Sequence, residues 1–178
     1  MIRAPMARPL EDTLDVGQCA SQRTALVRGF AVGSFERLRD SVSRPEGQAT
    51  VSLRFHVAGS FPAAEGSVSG SVWLVCQRCL AEFETRLESP LRIAFVDNDA
   101  DAATVPEDYE AVMVDAGRLT LADFVEDELL LALPLVPMHA TLAACGAKRE
   151  VEAVEAAPTA EQGPVQRPFA ALQDLLKR

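Results

Sequence analysis

The chain of 178 residues is 48% apolar and 24% charged, with a formal net charge of −9, which is ordinary for one folded domain with tails. Its most apolar run, 129–138, contains two prolines and is too short to cross a membrane, and the N-terminus lacks the apolar core of a secretion signal. Four cysteines at uneven spacing indicate thiols or metal ligands rather than disulfides, which predicts a cytoplasmic protein without a membrane partner.

Charge is unevenly distributed along the chain. Residues 1–92 contain 11 basic and 10 acidic side chains, whereas residues 93–178 contain 6 and 16. Because a nucleic-acid-binding surface is normally basic, any direct RNA contact is predicted to use the N-terminal half. A basic protein is an equal alternative as the partner.

The first segments predict a flexible tail and a short helix. Residues 1–13 are expected to be a flexible N-terminal tail, and residues 22–32 fit a helix or a strand equally well. Ser34 is expected to cap a short helix that ends near Val42.

An antiparallel sheet is predicted next. Residues 50–57 alternate polar and apolar side chains, which is typical of a strand with one wet face. Further strands are predicted over 66–75 and 83–96, with a turn over 59–66. Consecutive strands joined by short connections favour an antiparallel meander over βαβ units.

The second half predicts one main helix. An acidic loop over 97–108 precedes a short strand over 109–114. Thr120 is a good helix cap, and apolar residues recur with helical spacing until Pro134, which predicts a helix over about 120–133.

Three consecutive acids lie on this helix. Successive helical side chains point about 100° apart, so these carboxylates are not expected to converge on one metal ion. Glu126 and Asp127 are predicted to lie on the solvated face. Glu128 falls on the apolar phase and is a candidate buried acid or partner contact.

The domain organisation follows from these elements. Residues 14–145 are predicted to form a single domain, 147–167 a disordered acidic linker and 168–178 a short amphipathic segment. The fold class is α+β: an antiparallel β-meander packed by one main helix at about 120–133, with short N- and C-terminal helices.

The cysteines are the strongest candidates for chemistry. Cys76 and Cys79 are two residues apart at the end of a predicted strand, a spacing that lets two thiolates hold one tetrahedral zinc ion. His139 and Cys145 are the best candidates for the other two ligands, although their separation lies outside the common spacings. Ordinary reduced thiols are the alternative interpretation. Cys19 lies in a polar stretch and is expected to be incidental.

Enzymatic alternatives have less support from the sequence. A thioredoxin-like site needs its cysteines at a helix N-terminus, and a β-meander does not supply one. A cysteine–histidine nucleophile would need an orienting motif, and none accompanies the cysteines. His56 lies on the polar phase of its strand and is predicted to be exposed. With no phosphate-binding glycine loop either, the sequence predicts a protein that is not an enzyme and has no small-molecule substrate.

Several motifs together resemble the YceD family. They are the run Val75-Cys76-Gln77-Arg78-Cys79-Leu80 with Glu82-Phe83, the segment 121–137 with His139 and Cys145, the Tyr109 segment, and Arg167-Pro168-Phe169-Ala170-Ala171-Leu172. They occur in order over roughly residues 14–176.

This resemblance implies a role in the accumulation of 23S ribosomal RNA, through RNA processing or delivery of a ribosomal protein, and offers no catalytic residues to transfer. It implies a large-subunit precursor, a ribosomal protein or 23S RNA as the partner. Candidate contact residues are Arg78, Arg54, Arg86, Arg92 and Glu128. A zinc-assisted hydrolase or ribonuclease, or a thiol oxidoreductase that uses Cys76 and Cys79, is the alternative function.

Overall fold

The computed structural model describes residues 13–145 of a chain that divides into two compact units, 1–140 and 141–178. The strands are β1 (Thr13–Asp15), β2 (Ala25–Ala31), β3 (Gln48–Ala58), β4 (Phe61–Val75), β5 (Glu82–Val96), β6 (Glu110–Met113) and β7 (Arg118–Thr120). The helices are α1 (Val16–Ser21), α2 (Glu36–Ser41), α3 (Asp99–Ala102) and α4 (Leu121–Leu131), with a 3₁₀ turn at Val32–Ser34.

The two predicted tails are residues 1–13 and 147–178. Of these only Thr13 is described, as the first residue of β1, and the rest of both predictions lies outside the described residues. Within residues 13–145, no helix is both long and apolar enough to span a membrane.

The main sheet has five strands in the order β2-β3-β4-β5-β6, and β1 pairs with β7 in a separate small ribbon. Strands β2 to β5 form an antiparallel meander, which confirms the predicted α+β class. The ambiguous segment 22–32 contains a strand, because β2 pairs with β3 along its whole length.

The hairpin between β3 and β4 is tighter than predicted. Ala58 pairs with Phe61, so the turn is Gly59-Ser60 and the expected turn over 59–66 is wrong. Gly59 has φ +62 in a two-residue turn, a conformation that favours glycine. Gly66 instead lies within β4, where a Cβ would come within 1.8 Å of the Ser52 carbonyl oxygen. The second glycine is therefore required for close approach of two strands and not for a turn.

The last strand of the sheet is not part of the meander. β6 pairs with β5 in parallel, with Ile93 opposite Glu110, after a crossover that contains α3. β6 covers only the end of β5, which leaves Pro90 opposite Ser67 of β4 and without a neighbour from β6. A proline is tolerated there because no ladder hydrogen bond on that side requires its missing N–H.

One face of the sheet forms the core. Along β3 the side chains alternate between buried and exposed, as the sequence predicts. The buried side packs against α1 and α4. Residues with less than about a tenth of their surface exposed include Val51, Leu53, Phe55, Val68, Val72, Ile93, Leu121, Phe124, Val125 and Leu129. The opposite face carries serine, threonine and charged side chains and is open to solvent.

A carboxylate from α4 caps the N-terminus of α2. Glu126, only 1% exposed, accepts hydrogen bonds from the backbone N–H groups of Arg37 (2.6 Å) and Leu38 (3.1 Å) and from the Arg37 guanidinium (3.1 Å). The predicted solvated position of Glu126 is therefore wrong. So is the predicted cap, because Phe35 occupies the cap position and the Ser34 hydroxyl donates to Ala31 instead.

Candidate metal centre

A tight turn between β4 and β5 carries the two paired cysteines. Cys76 follows the last residue of β4, and its N–H donates to the Ala81 carbonyl at 2.9 Å. The Leu80 N–H donates back to the Cys76 carbonyl, also at 2.9 Å. These two bonds close a knuckle, residues 76–81, that holds the Cys76 and Cys79 side chains close together.

Leu80 adopts an uncommon backbone conformation in this knuckle. Its φ is +59, in the left-handed region, and its side chain is 75% exposed. For a residue other than glycine this conformation costs about 1–2 kcal/mol.

We expect Leu80→Gly to stabilise the fold by about 0.5–1 kcal/mol, because relief of the backbone strain exceeds the extra chain entropy of glycine. Leu80→Ala, which keeps the strain and removes the same exposed side chain, should change stability by less than about 0.5 kcal/mol. Urea unfolding of the three proteins measures the difference. Equal stability of the two variants would contradict the strain argument.

The segment after α4 brings a histidine to the knuckle. The Pro137 carbonyl accepts from the Gln77 N–H at 2.8 Å, and the His139 carbonyl accepts from the Arg78 guanidinium at 3.4 Å. The His139 ring packs on Phe83 of β5, with ring centroids 4.7 Å apart. Main-chain bonds and ring packing thus fix the imidazole relative to the cysteines, although 60 positions separate it from Cys79.

Three donor atoms converge at this point. The ligand atoms of Cys76, Cys79 and His139 lie within 4.8 Å of one another. The Cys79 sulfur and the His139 Nδ1 are 3.5 Å apart. A tetrahedral zinc ion with bonds of about 2.3 Å to sulfur and about 2.1 Å to nitrogen places such atoms about 3.6 Å apart. The structure therefore contains a Cys/His cluster with the donors and spacing to hold a metal ion.

The surroundings favour the thiolate form of Cys76. Burial of this side chain raises the pKa, but backbone N–H groups of His139, Cys79 and Arg78 donate to the sulfur, as does the His139 side chain, and together they lower the pKa to about 5. Thiolate is the form of cysteine that ligates metals. Amide donors around a ligand sulfur also orient it and stabilise its charge when a metal binds.

The other two cysteines are Cys145 and Cys19. Cys145, in the second unit, is buried, and its N–H donates to the Leu142 carbonyl at 3.1 Å. Cys19 lies on α1, half-buried and apart from the knuckle. All four cysteines are reduced thiols.

Three predicted contact residues lie on the sheet. Arg54, Arg86 and Arg92 are all exposed on its open face. Arg92 pairs with Glu65 at 3.1 Å and lies over the Tyr109 ring, 4.8 Å from its centroid. Arg86 lines a shallow polar depression on this face. Their role in partner binding stays a prediction.

The two remaining contact candidates have partners within the fold. The Arg78 guanidinium reaches the Met138 sulfur (3.8 Å) and the His139 carbonyl, beside the knuckle. Glu128 is half-buried and accepts from the Ser89 hydroxyl at 2.7 Å. Burial, together with the charges of Glu110 and Asp127, raises the Glu128 pKa despite that bond. A binding role for either residue stays a prediction.

The sequence does not predict a polar cluster formed by His56, Tyr109 and Glu65. His56 is half-buried, not exposed as the sequence predicts, and its Nε2 lies 2.9 Å from the Tyr109 hydroxyl. That hydroxyl also donates to Glu65 at 3.4 Å. The alternating pattern of β3 gives the correct face for His56, but the cover comes from a residue 53 positions later, which no local pattern reveals.

Comparison with known proteins identifies the family. The family described as "Large ribosomal RNA subunit accumulation protein YceD" matches residues 64–176. A protein from Haemophilus influenzae with the same description is 37% identical over 131 residues, which is 72% of this chain and 75% of the relative. The chain belongs to the YceD family. No solved structure matches it significantly.

Membership of the YceD family confirms the resemblance stated from the motifs. The matched range includes the Cys76–Cys79 knuckle, α4 and His139, so the candidate metal centre lies within the part of the chain that defines the family. The family description names accumulation of an RNA and not a chemical reaction.

Proposed function

We propose that this protein is a non-catalytic ribosome-biogenesis factor that supports synthesis, processing or accumulation of 23S ribosomal RNA in the cytoplasm. Membership of a family described by large-subunit RNA accumulation is the observation that carries the proposal. The burial of Cys76, one of the two knuckle cysteines, supports the non-catalytic part of the proposal. Cys76 is 0% exposed, so its sulfur is inaccessible to a substrate as large as RNA.

The cysteine knuckle is proposed to hold a structural zinc ion. Sulfur-rich donor sets with an imidazole favour zinc among common protein metals. Cys145 is the proposed fourth ligand, after Cys76, Cys79 and His139, because a tetrahedral site needs a fourth donor and Cys145 follows His139 by only six positions. Four protein ligands leave no open position for a substrate or for catalytic water, so such an ion would be structural.

Elemental analysis tests the metal directly. Protein purified without chelator is expected to contain about one zinc ion per chain, as four protein ligands make one tetrahedral site. Cys19→Ser, a cysteine change outside the proposed set, should keep that zinc. Metal-free wild-type protein that remains folded and active in cells would overturn the zinc proposal and leave the ribosomal role standing.

A thiol-based enzyme is the alternative, and one observation favours it: the low pKa of Cys76 beside a histidine. Cell-based rescue with a Cys76→Ser/Cys79→Ser double variant discriminates the two. If the double variant folds and restores ribosomal RNA, the thiols are not catalytic. If it folds stably but restores nothing, the enzymatic alternative gains support.

The proposed partner is a large-subunit precursor, through either a ribosomal protein or 23S RNA. Arg54 and Arg86, on the open face, make no ion pair within residues 13–145 and are the first candidates for such contacts. The other candidates are Arg92 on the same face, Arg78 in the knuckle and Glu128 on α4. Affinity purification from lysate with and without nuclease identifies the partner. Direct phosphate contact also predicts a steep loss of 23S fragment binding as salt rises.

Deletion of the gene tests the role itself. We expect 23S RNA to fall relative to 16S RNA and large subunits to decrease in ribosome profiles, with recovery when the wild-type gene is returned. A clean deletion with an unchanged RNA ratio and unchanged ribosome profile would sink the proposed function.

A further inference from the structure

The outer edge of β2 presents unpaired backbone groups. The Phe55 N–H donates to the Thr24 carbonyl (2.9 Å), and the Val32 N–H donates to the Gly47 carbonyl (3.1 Å), so backbone groups at even positions point toward β3. Main-chain groups alternate sides along a strand. The N–H and C=O groups of the four odd residues of β2 therefore point away from the sheet, and of these the Ala31 carbonyl already accepts from the Ser34 hydroxyl at 2.6 Å. No other strand of residues 13–145 pairs with this edge.

This edge is accessible and lacks most of the usual protection. All four odd residues, Ala25, Val27, Gly29 and Ala31, are exposed, Val27 by 66%. Natural edge strands are commonly blocked by proline, a bulge, lysine or a short length. β2 has seven residues, pairs with β3 in unbroken register and contains no proline or lysine. Arg28 is its one charged residue.

The charged residues of the two outermost strands at this edge are all basic, although Glu65 of β4 lies opposite Arg54. β2 and β3 contain no acidic residue, whereas Arg28 lies on β2 and Arg54 lies on β3 opposite Ala25. Arg23 lies just before β2. This corner is therefore basic on a chain with a net charge of −9.

We propose that β2 is a docking edge for an extended, acidic peptide segment of another protein, which adds to the sheet as a sixth strand. Main-chain hydrogen bonds to the odd residues would provide the pairing, and acidic side chains beside the three arginines would provide selectivity. The proposal stands on the edge geometry and does not depend on the ribosomal role.

The same charges argue against two other occupants. A second copy of this chain would bring two sets of Arg23, Arg28 and Arg54 together, and like charges across paired strands are destabilising. Single-stranded RNA is usually held by stacking on exposed aromatic rings as well as by cations. The residues of β2 that face out on the open side are alanine, valine and glycine, so they provide no stacking platform.

Fluorescence anisotropy with a labelled ten-residue peptide of alternating valine and glutamate tests the inference on the full-length protein. Gly29→Pro removes one outward N–H and should weaken peptide binding about tenfold, as expected for the loss of one main-chain hydrogen bond and the weakening of the adjacent ones. Gly29→Ala is the matched control. Its Cβ would meet only the Ala49 carbonyl oxygen at 3.9 Å, so affinity should stay within about twofold of wild type.

A charge variant tests selectivity without altering the backbone. Wild type should bind the glutamate peptide at least about tenfold more tightly than a valine–lysine peptide. Arg28→Glu should reduce this ratio of the two affinities. Arg118→Glu changes an exposed arginine on β7, outside the five-stranded sheet, and should leave the preference for the glutamate peptide unchanged.

Three results would overturn the inference. The first is equal peptide affinity for Gly29→Pro and Gly29→Ala. The second is displacement of the peptide by oligouridylate, combined with unchanged peptide affinity in Gly29→Pro. The third is a wild-type dimer in sedimentation experiments that becomes a monomer in Gly29→Pro. If Gly29→Pro fails to fold, NMR amide chemical shifts of the wild-type protein titrated with the peptide test the docking edge instead. The peptide should shift the backbone amide resonances of Ala25, Val27, Gly29 and Ala31 more than those of β4, and a contrary pattern refutes the docking edge.

Discussion

Cys76→Ser, Cys79→Ser, His139→Ala and Cys145→Ser are each expected to reduce bound zinc from about one ion per chain to a small fraction and to destabilise the fold. A ligand present at 100 to 1,000 times its Kd stabilises the native state by about 3–4 kcal/mol, and loss of the ion removes that contribution. For a domain of this size the loss corresponds to roughly 10–15 °C in Tm. Calorimetry with and without a strong chelator measures it.

The matched control for these variants is Cys19→Ser, because Cys19 is a half-buried cysteine on α1. It should retain zinc, and chelator should lower its Tm as much as that of the wild type. Chelator should have no further effect on the four ligand variants. If Cys145→Ser alone keeps full zinc content, the fourth ligand is not Cys145 and the three-residue centre stands without it.

Glu126→Ala is expected to destabilise the fold by about 3–4 kcal/mol. The change leaves the buried N–H of Leu38 and the N–H of Arg37 without their acceptor and removes one of the two carboxylates that pair with the Arg37 guanidinium. Each buried donor left without a partner costs about 1–3 kcal/mol. Asp127→Asn is the control, because Asp127 contacts the same arginine but is 54% exposed. It should cost less than about 1 kcal/mol. Equal losses for the two variants in urea unfolding would contradict the assigned capping role.

The same carboxylate predicts a pH dependence. Burial raises the pKa of Glu126, but the N–H donors of Leu38 and Arg37 and the Arg37 guanidinium outweigh it, so the folded-state pKa is lowered. The stabilisation is therefore fully present above the unfolded-state pKa of about 4.3 and is lost as pH falls through the folded-state value. The stability difference between wild type and Glu126→Gln should be constant above about pH 5.5 and shrink on acidification. A stability difference between the two proteins that grows toward low pH would contradict a lowered pKa of Glu126 in the folded state.

The cysteine knuckle and the Glu126 cap both join parts of the fold that are far apart in sequence. In the knuckle, His139, which follows α4, contacts Cys79. In the cap, Glu126 of α4 accepts a hydrogen bond from the N-terminus of α2. Glu126 and Cys76 are both buried, whereas Cys79 is partly exposed.

Local patterns were sufficient for the sheet and the main helix. Alternation over 50–57 identifies β3 and its wet face because side chains on a strand point to opposite sides with a period of two. Helical spacing before Pro134 identifies α4 for the corresponding reason. Pattern could not show that β6 runs parallel to β5, because strand direction depends on the path of the crossover through α3.

The sequence by itself determined the donor types of the candidate metal centre, two cysteines in one knuckle and a histidine after the helix, and its motifs determined the family of the chain. Only the tertiary structure decided the distances, including the 3.5 Å between Cys79 and His139, and the burial of Glu126. The reason is physical. Residue type and periodicity are local properties, whereas these contacts join positions 60 and 89 apart, and such separations close only when the helix packs on the sheet.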